Sequence, residues 1–261
     1  MIAMNPPSSK TRTRRAALRA AALAAAPLCV AAAAAAALAG RQDAPTPPTT
    51  PERARARVVC LGDSITKAGY PEELSKLLGG AAVVNAGIGG NPSGAGLRRL
   101  ERQALAYRPE AVVVLFGTND MRADAPHVFA APDAYARNLR AIVAACRKAG
   151  AKPVLCTVPP IDEAAYFTRH SRAPFDARGG LAKMVRDYRD VAANVARELN
   201  VPLVDLNADL AAAPGWRSPD GVHPTAEGNR QIARRVARVV APLLGLPVPA
   251  GDDAAAAPRG E

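Results

Sequence analysis

Val58-Val59-Cys60-Leu61-Gly62-Asp63-Ser64-Ile65-Thr66 is the stretch from which the architecture of the chain can be inferred. A run of strand-forming apolar residues ends abruptly at Gly-Asp-Ser, which predicts a buried strand followed by a turn. Ser64 should therefore stand just past the carboxyl end of this strand, where open α/β sheets bind their ligands. A serine becomes a nucleophile only with a base, an acidic residue that orients the base, and donors for an oxyanion. The rest of the chain contains candidates for each of these roles.

From Arg57 onward, apolar runs that are typical of strands alternate with segments of helical periodicity. The predicted strands are 57–62, 81–85, 111–116, 153–158 and 202–205, and the predicted helices are 70–78, 94–107, 133–149, 180–199 and 224–242. Continuous apolar strands that are separated by helices favour a parallel sheet covered on both faces. The sequence therefore predicts a three-layer α/β/α fold.

The beginning of the chain has the composition of a targeting segment. Residues 1–40 combine a basic start with a nearly uninterrupted apolar run that ends in small residues, which is the pattern of an export signal. Thr13 to Arg19 resembles a twin-arginine signal, with Ala17 where a phenylalanine is usual. We therefore expect an exported protein, periplasmic or secreted, without stable membrane insertion after signal cleavage. An uncleaved membrane anchor is the alternative interpretation.

The folded part of the chain is predicted between two segments that are poor in large apolar residues. Residues 41–56 are rich in proline, threonine and alanine and read as an extended linker. Residues 247–261 contain mainly alanine, proline, glycine and aspartate and are predicted to be a disordered tail. This leaves residues 57–246 as one domain, which is long enough for a well-buried core.

The formal net charge of +11 raises the question of a nucleic-acid partner. Nine basic and two acidic residues lie within residues 1–57, which gives that segment a net charge of +7 and leaves only +4 for the rest. Aromatic residues make up 4% of the chain, and no basic run is interleaved with them. We therefore expect the folded part to bind no nucleic acid. The oligomeric state is left open.

The cysteines do not follow a metal-binding or redox pattern. The chain has four, which are Cys29, Cys60, Cys146 and Cys156, and none forms a CxxC pair. Buried free thiols are the simplest interpretation, although an exported protein could oxidise a pair of them. No HExxH motif or cluster of cysteine and histidine is present, so we expect neither a metal nor a cofactor.

Two polar motifs follow the second and third predicted strands. Asn85-Ala86-Gly87-Ile88-Gly89-Gly90-Asn91 precedes a helix, and its glycines let backbone N–H groups approach a negatively charged ligand. A phosphate-binding loop is disfavoured because Ala95 stands where a Walker motif has lysine. In Phe116-Gly117-Thr118-Asn119-Asp120, Asn119 can donate its amide to an oxyanion or close an Asx-turn. We assign Asp120 to structure.

The motif Ser218-Pro219-Asp220-Gly221-Val222-His223-Pro224-Thr225 leads into the last predicted helix. Asp220 and His223 can meet if the backbone turns, so that the carboxylate accepts from one imidazole nitrogen while the other faces a serine. The two remaining histidines, His127 and His170, lie in predicted loops without a comparable motif. We assign both of them to the surface.

Together, the four motifs resemble those of the SGNH, or GDSL-type, serine hydrolase family. Gly-Asp-Ser-Ile-Thr, Asn-Ala-Gly-Ile-Gly-Gly-Asn, Gly-Thr-Asn-Asp and Asp-Gly-Val-His-Pro-Thr occur in the family's order over roughly residues 57–243. The resemblance implies that Ser64 is the nucleophile, that His223 is the general base and that Asp220 orients His223. It also implies an oxyanion hole formed by the Ser64 N–H, the Gly90 N–H and the Asn119 side chain, with Gly89 as the nearest competitor to Gly90.

The resemblance also implies a fold and an activity. The fold would be a flavodoxin-like, five-stranded parallel sheet, which agrees with the five strands predicted above. The activity would be that of a serine-dependent carboxylic ester hydrolase, an esterase working through an acyl-enzyme on a small-molecule or glycan ester. Alternatives on the same fold are a carbohydrate O-acetylesterase or O-acetyltransferase, and an acyl thioesterase or lysophospholipase. A carbohydrate-binding protein without activity is disfavoured by the intact Ser64, Asp220 and His223.

Two further features are candidates for the wall of a substrate pocket. Ile161 to Gly180 is a long segment containing Tyr166, Phe167, His170 and Phe175, and it reads either as a lid or binding wall or as an ordinary surface excursion. Trp216 lies just before the Asp220 motif and can either line a pocket or pack in the core.

Overall fold

The computed structural model of the protein describes residues 56–79 and 81–249 of the 261 residues. The predicted export signal, nearly all of the predicted linker and most of the predicted tail lie outside the described residues and remain predictions. Within the described residues, no helix combines the length and the apolar character needed to span a bilayer.

Five parallel strands form one sheet. They are β1 (Ala56–Gly62), β2 (Ala82–Gly87), β3 (Ala111–Leu115), β4 (Lys152–Cys156) and β5 (Leu203–Val204). Their order across the sheet is β2-β1-β3-β4-β5, and every neighbouring pair is parallel. Gly62 pairs with Gly87 on one side and with Leu115 on the other, so three strands end level at the same edge. The winding direction reverses between β1 and β3, and sheets of this order form their binding crevice there.

The helices lie between the strands and follow β5. They are α1 (Ser64–Lys67), α2 (Tyr70–Leu77), α3 (Ser93–Gln103), α4 (Pro132–Lys148), α5 (Glu163–Tyr166), α6 (Ala173–Asp176), α7 (Leu181–Glu198), α8 (Leu206–Leu210) and α9 (Ala226–Leu243), with a 3-10 turn at Leu105–Tyr107. Four of the five predicted helices agree with the structure within two residues at each end.

The remaining differences have local causes. The predicted helix 94–107 ends at Gln103 because the backbone of Ala104 leaves the helical region, and the chain continues as the 3-10 turn. Helix α9 starts two residues later than predicted because Thr225 is extended and its side chain caps the helix by accepting from the Gly228 N–H. The four helices of four or five residues are too short to show a periodic pattern.

Each face of the sheet carries its own apolar core, because successive side chains of a strand point to opposite faces. Val59 and Leu61 of β1 belong to a core with α3, α4 and α7. Val58 and Cys60 belong to a second core with α2 and α9 on the other face. All four side chains are fully buried, which explains why β1 is apolar without interruption. The predicted three-layer α/β/α fold with a flavodoxin-like sheet is confirmed.

Three cysteines are buried within these cores as free thiols. They are Cys60, Cys146 and Cys156. Burial raises the pKa of the Cys60 thiol and of the Cys146 thiol to about 12, and it raises the pKa of Cys156 further still. These findings agree with the interpretation of the cysteines as buried packing residues. Cys29 lies outside the described residues.

The packing of α3 on the sheet gives a test of the fold. A Cβ at Gly96 would lie 2.2 Å from Cζ of the Phe116 ring, so Gly96→Ala should lower the free energy of unfolding by about 1–3 kcal/mol. Alanine would otherwise favour a helix by about 1 kcal/mol over glycine. Gly94→Ala in the same helix meets only ordinary contacts, at 3.4 Å or more, and should be neutral or slightly stabilising. Urea unfolding measures both variants, and equal stabilities would contradict the packing.

Candidate active site

Ser64 is held at the carboxyl edge of the sheet by the turn between β1 and α1. It is the first residue of α1, and Asp63 caps this helix by accepting the N–H of Ile65 at 2.9 Å. The turn closes tightly, because a Cβ at Gly62 would lie 2.0 Å from Oγ1 of Thr66. Only glycine permits this close approach, which accounts for the first residue of the Gly-Asp-Ser motif.

A backbone hairpin brings Asp220 and His223 together. The N–H of Ser218 donates to the carbonyl of His223 at 2.8 Å, and the N–H of Thr225 donates to the carbonyl of Trp216 at 2.8 Å. Between these bonds, Gly221 has a φ of 82°, a conformation that favours glycine. The turn that was required for Asp220 and His223 to meet is therefore present.

The imidazole of His223 bridges Asp220 and Ser64. Its Nδ1 lies 2.5 Å from Oδ2 of Asp220, and its Nε2 lies 2.8 Å from Oγ of Ser64. Oδ1 of Asp220 accepts from the N–H groups of Val222 and His223, both at 2.9 Å, and from the Ser218 hydroxyl at 2.7 Å. Burial acts to raise the pKa of Asp220, but these hydrogen bonds outweigh it and hold the pKa well below its ordinary value. An ionised carboxylate favours a proton on Nδ1 and leaves Nε2 to face the serine.

The predicted oxyanion donors border the same space. Ser64, Gly90, Asn119 and His223 line one cavity of about 250 Å³. Gly90 has a φ of 74°, and a Cβ there would meet no atom within 4 Å, so this part of the rim is open. A Cβ at Gly89 would lie 4.0 Å from Cβ of Ser64, so Gly89 passes close to the serine, whereas Gly90 lines the same cavity without such a close approach. The structure thus brings together all the residues that were predicted from the sequence.

Asn119 and Asp120 connect the loop after β3 to its neighbours. The side-chain amide of Asn119 donates to Oδ2 of Asp63 and to the carbonyl of Asn91, both at 3.3 Å. The carboxylate of Asp120 accepts from the N–H of Ser93 at 2.9 Å and from the hydroxyl of the same residue. Asp120 faces the start of α3, which agrees with its assignment to structure.

Arg99 is a supporting residue that the sequence analysis missed. Only 7% of it is exposed, and it donates to the carbonyls of Gly62 and Ala86 at 2.7 Å each. It therefore ties the ends of β1 and β2 together beneath the site. Burial lowers the pKa of Arg99 to about 10, which leaves the guanidinium charged at neutral pH. An arginine within a helical pattern normally reads as a surface residue, so the sequence contained no signal for this role.

The assignment of His170 to the surface is wrong. Its side chain is 15% exposed and lines the cavity that contains Ser64. Nδ1 of His170 lies 3.0 Å from Oδ2 of Asp124, and its ring stacks on Tyr166 with a centroid separation of 4.1 Å. Arg122 holds the same carboxylate by two hydrogen bonds of 2.7 and 2.9 Å. His127, in contrast, is exposed, as expected.

The segment 161–180 forms a wall of this cavity. Tyr166, Arg169 and His170 all line it, and Arg169 donates to the carbonyl of Asp220 at 2.7 Å. These contacts favour the binding wall over the surface excursion. Trp216 has the other of its two predicted roles, because it is 3% exposed and packs in the core on the α2 and α9 face of the sheet.

Among residues 56–79 and 81–249, no three histidine, cysteine, aspartate or glutamate side chains are grouped so that they could hold a metal ion. The cavity offers the hydroxyl of Ser64, the imidazole of His223 with the Asp220 carboxylate behind it, and backbone or amide donors. Such a set can transfer a proton from Ser64 and stabilise a negative charge beside it.

Comparisons with known proteins found a matching family, relatives of known sequence and solved structures of similar fold. A family described as GDSL-like lipase/acylhydrolase matches residues 60–231. The uncharacterized lipoprotein YqeF of Bacillus subtilis is 31% identical over 67% of this chain and 85% of its own length. Thioesterase 1/protease 1/lysophospholipase L1 of Escherichia coli K12 is 27% identical over 72% of this chain and 84% of its own. The crystal structure of the acetyl xylan esterase AlAXEase has a TM-score of 0.58 at 27% identity, over 69% of this chain and 96% of that one.

The buried carboxyl of Asp63 predicts a pH-dependent stability. Burial is the main cause that raises the pKa of Asp63 from 3.8 to about 7. A group whose pKa is higher in the folded state contributes stability that is complete below about pH 4 and is lost as the pH rises through 7. Asp63→Asn removes this contribution. From pH 5 to pH 8, the wild type should therefore lose roughly 2–3 kcal/mol of unfolding free energy relative to the variant.

Urea unfolding at the two pH values measures this difference. Asp176→Asn is the matched control, because Asp176 is an exposed carboxylate and its replacement should preserve the pH dependence of the wild type. A difference between the wild type and Asp63→Asn that is the same at pH 5 and pH 8 would show that Asp63 is ionised throughout this range.

Proposed function

Because the chain belongs to the GDSL-like lipase/acylhydrolase family and is a GDSL-type serine ester hydrolase, we propose that Ser64 is its nucleophile and His223 its general base, with Asp220 orienting His223. The observation that supports this assignment most directly is the hydrogen bond of 2.8 Å between Nε2 of His223 and Oγ of Ser64. A general base has to lie within hydrogen-bond distance of the proton that it removes, and this distance meets that requirement.

In the first half of the proposed reaction, His223 takes the proton of Ser64 as Oγ attacks the carbonyl carbon of the ester. The carbonyl oxygen becomes negatively charged and is stabilised by the N–H groups of Ser64 and Gly90 and by one N–H of the Asn119 amide, which gives up its hydrogen bond of 3.3 Å to the Asn91 carbonyl. The bond to the alcohol oxygen then breaks. His223 gives its proton to the leaving alcohol, and the acyl group stays on Ser64.

In the second half, a water molecule replaces the alcohol beside His223. The imidazole removes a proton from the water, which attacks the acyl-enzyme, and the acid leaves as Oγ of Ser64 recovers its proton. Asp220 stabilises the imidazolium that forms twice in the cycle. The hydrogen bonds that hold the pKa of Asp220 low keep its carboxylate ionised throughout.

The size of the cavity bears on the substrate. About 250 Å³ is at or below the lower end of ordinary ligand pockets, and the lining includes Arg122, Arg169 and His170. We therefore favour an ester with a short acyl group, a class that includes the O-acetyl esters of carbohydrates. Long-chain thioesters and lysophospholipids fit this space less well. Addition of a free sugar to the assay would distinguish an O-acetyltransferase from a hydrolase by the formation of a new ester.

We also propose where the protein acts. We infer export from the basic start and the apolar run within residues 1–40, and the relative YqeF is itself named a lipoprotein. The alternatives, a membrane anchor and a twin-arginine route, concern the same segment, which lies outside the described residues.

The nucleophile can be tested by covalent labelling. A fluorophosphonate reacts with an activated serine, so the wild type should be labelled and Ser64→Ala should not. Ser171→Ala, at an exposed serine, is the control and should be labelled like the wild type. Intact-mass spectrometry measures the adduct. Undiminished labelling of Ser64→Ala would assign the nucleophile to another residue.

The oxyanion hole can be tested at Asn119. Asn119→Ala removes one donor, so kcat for p-nitrophenyl acetate should fall roughly 10²–10³-fold while KM changes little. Asn138→Ala is the matched control, because the Asn138 amide donates to the Ser93 hydroxyl at 2.9 Å and does not line the cavity. Its kcat should stay close to that of the wild type. Comparable losses in the two variants would argue for a general structural effect.

A further inference from the structure

The cavity beside Ser64 contains a second histidine and carboxylate pair that the proposed reaction does not use. Nδ1 of His170 lies 3.0 Å from Oδ2 of Asp124, and Arg122 donates two hydrogen bonds to the same carboxylate. The ring of His170 is also stacked on Tyr166. His170 is thus fixed both in position and in orientation at the wall of the cavity.

The charges of this pair determine what His170 can offer. Burial acts to raise the pKa of Asp124, but the hydrogen bonds from Arg122 and His170 outweigh it and lower the pKa. Burial is the main cause that lowers the pKa of His170. A neutral imidazole beside an ionised carboxylate carries its proton on Nδ1, so Nε2 is left with a lone pair. Within the described part of the chain, Nε2 has no hydrogen-bond partner.

The wall formed by segment 161–180 is in direct contact with Asp220. Arg169, next to His170 in the chain, donates to the carbonyl of Asp220, and its Nη2 is 3.6 Å from Oδ2 of the same residue. The wall is therefore adjacent to the pair of Asp220 and His223, which delivers the proton to the leaving alcohol in the proposed reaction. The alcohol part of an ester should consequently lie closest to it.

The part of the cavity lining that is formed by Arg122, Tyr166, Arg169 and His170 offers hydrogen bonds without a large excess of charge. Both of its guanidinium groups already face carboxylates, Arg122 that of Asp124 and Arg169 that of Asp220. This arrangement favours a neutral ligand group over a phosphate or a carboxylate. The hydroxyl of Tyr166 is buried and has no partner among the described residues, so a second polar group at the wall is unsatisfied. Buried polar groups of this kind normally have a partner, such as water or a ligand.

We propose that His170 is a specificity-determining residue, whose Nε2 accepts a hydrogen bond from a hydroxyl group in the alcohol part of the substrate. This selects esters of polyhydroxy alcohols, such as sugars, over esters of plain alkyl alcohols. Arg122 and Asp124 orient the ring, and Tyr166 supports its face. The inference rests on the proposed function, because it requires that the alcohol leave on the side of His223.

A matched pair of substrates tests this role. Glycerol monoacetate and propyl acetate share an acetyl group and a three-carbon alcohol, and only the former has free hydroxyls. The ratio of their kcat/KM values should fall roughly 5- to 10-fold in His170→Phe, which keeps an aromatic ring on Tyr166 but loses the acceptor. His170→Gln, which has an oxygen acceptor, should recover part of the ratio. His127→Phe, at the exposed histidine, should show the ratio of the wild type.

The proposal is overturned if the ratio in His170→Phe equals that of the wild type, whether the activity is unchanged or falls equally on both esters. Recovery of the ratio in His170→Gln, together with a thermal unfolding midpoint like that of the wild type, excludes a folding defect as the cause. Turnover of propyl acetate by the wild type tests the proposed function separately. If the wild type hydrolyses neither ester, the proposed function is contradicted, and the role of His170, which rests on it, is contradicted as well.

Discussion

Hydrogen bonds among buried polar groups hold three separate loops at one edge of the sheet. Arg99 binds the carbonyls at the ends of β1 and β2, and Asn119 in the loop after β3 donates to Asp63 in the turn after β1. Buried polar groups cost free energy when they lose their partners, so a shift of one loop away from the others is unfavourable. The rim of the cavity is therefore set before any substrate arrives, which is the condition for stabilising a transition state efficiently.

The fold could be predicted from the sequence because its determinants are local. The apolar run from Val58 to Leu61 reports a strand that is buried on both faces, and the long helices show their periodicity directly. The candidate site could be predicted because each of its motifs directly follows a strand or precedes a helix, and the resemblance to a known family supplied the roles. Strand β5 is shorter than the predicted strand 202–205. Only Leu203 and Val204 pair with β4, and Pro202 and Asp205 lie on either side of the paired residues.

The residues that were missed depend on contacts between distant parts of the chain. His170 and Asp124 are 46 residues apart, and neither has a neighbouring motif that announces the other. Asp220 and His223 are only three apart within one hairpin, so their meeting could be anticipated. The two pairs have the same chemistry, but one faces Ser64 and the other faces open cavity. What lies opposite each imidazole is determined only by the tertiary structure.

The burial of the thiols has a consequence for how the protein responds to oxidants. A cysteine exchanges disulfides as a thiolate, and with pKa values near 12 Cys60 and Cys146 hold almost no thiolate at neutral pH. The folded domain is therefore protected against glutathionylation and disulfide exchange without any dedicated defence. A chain that is still unfolded has no such protection, so oxidative cross-linking can trap it only before it folds.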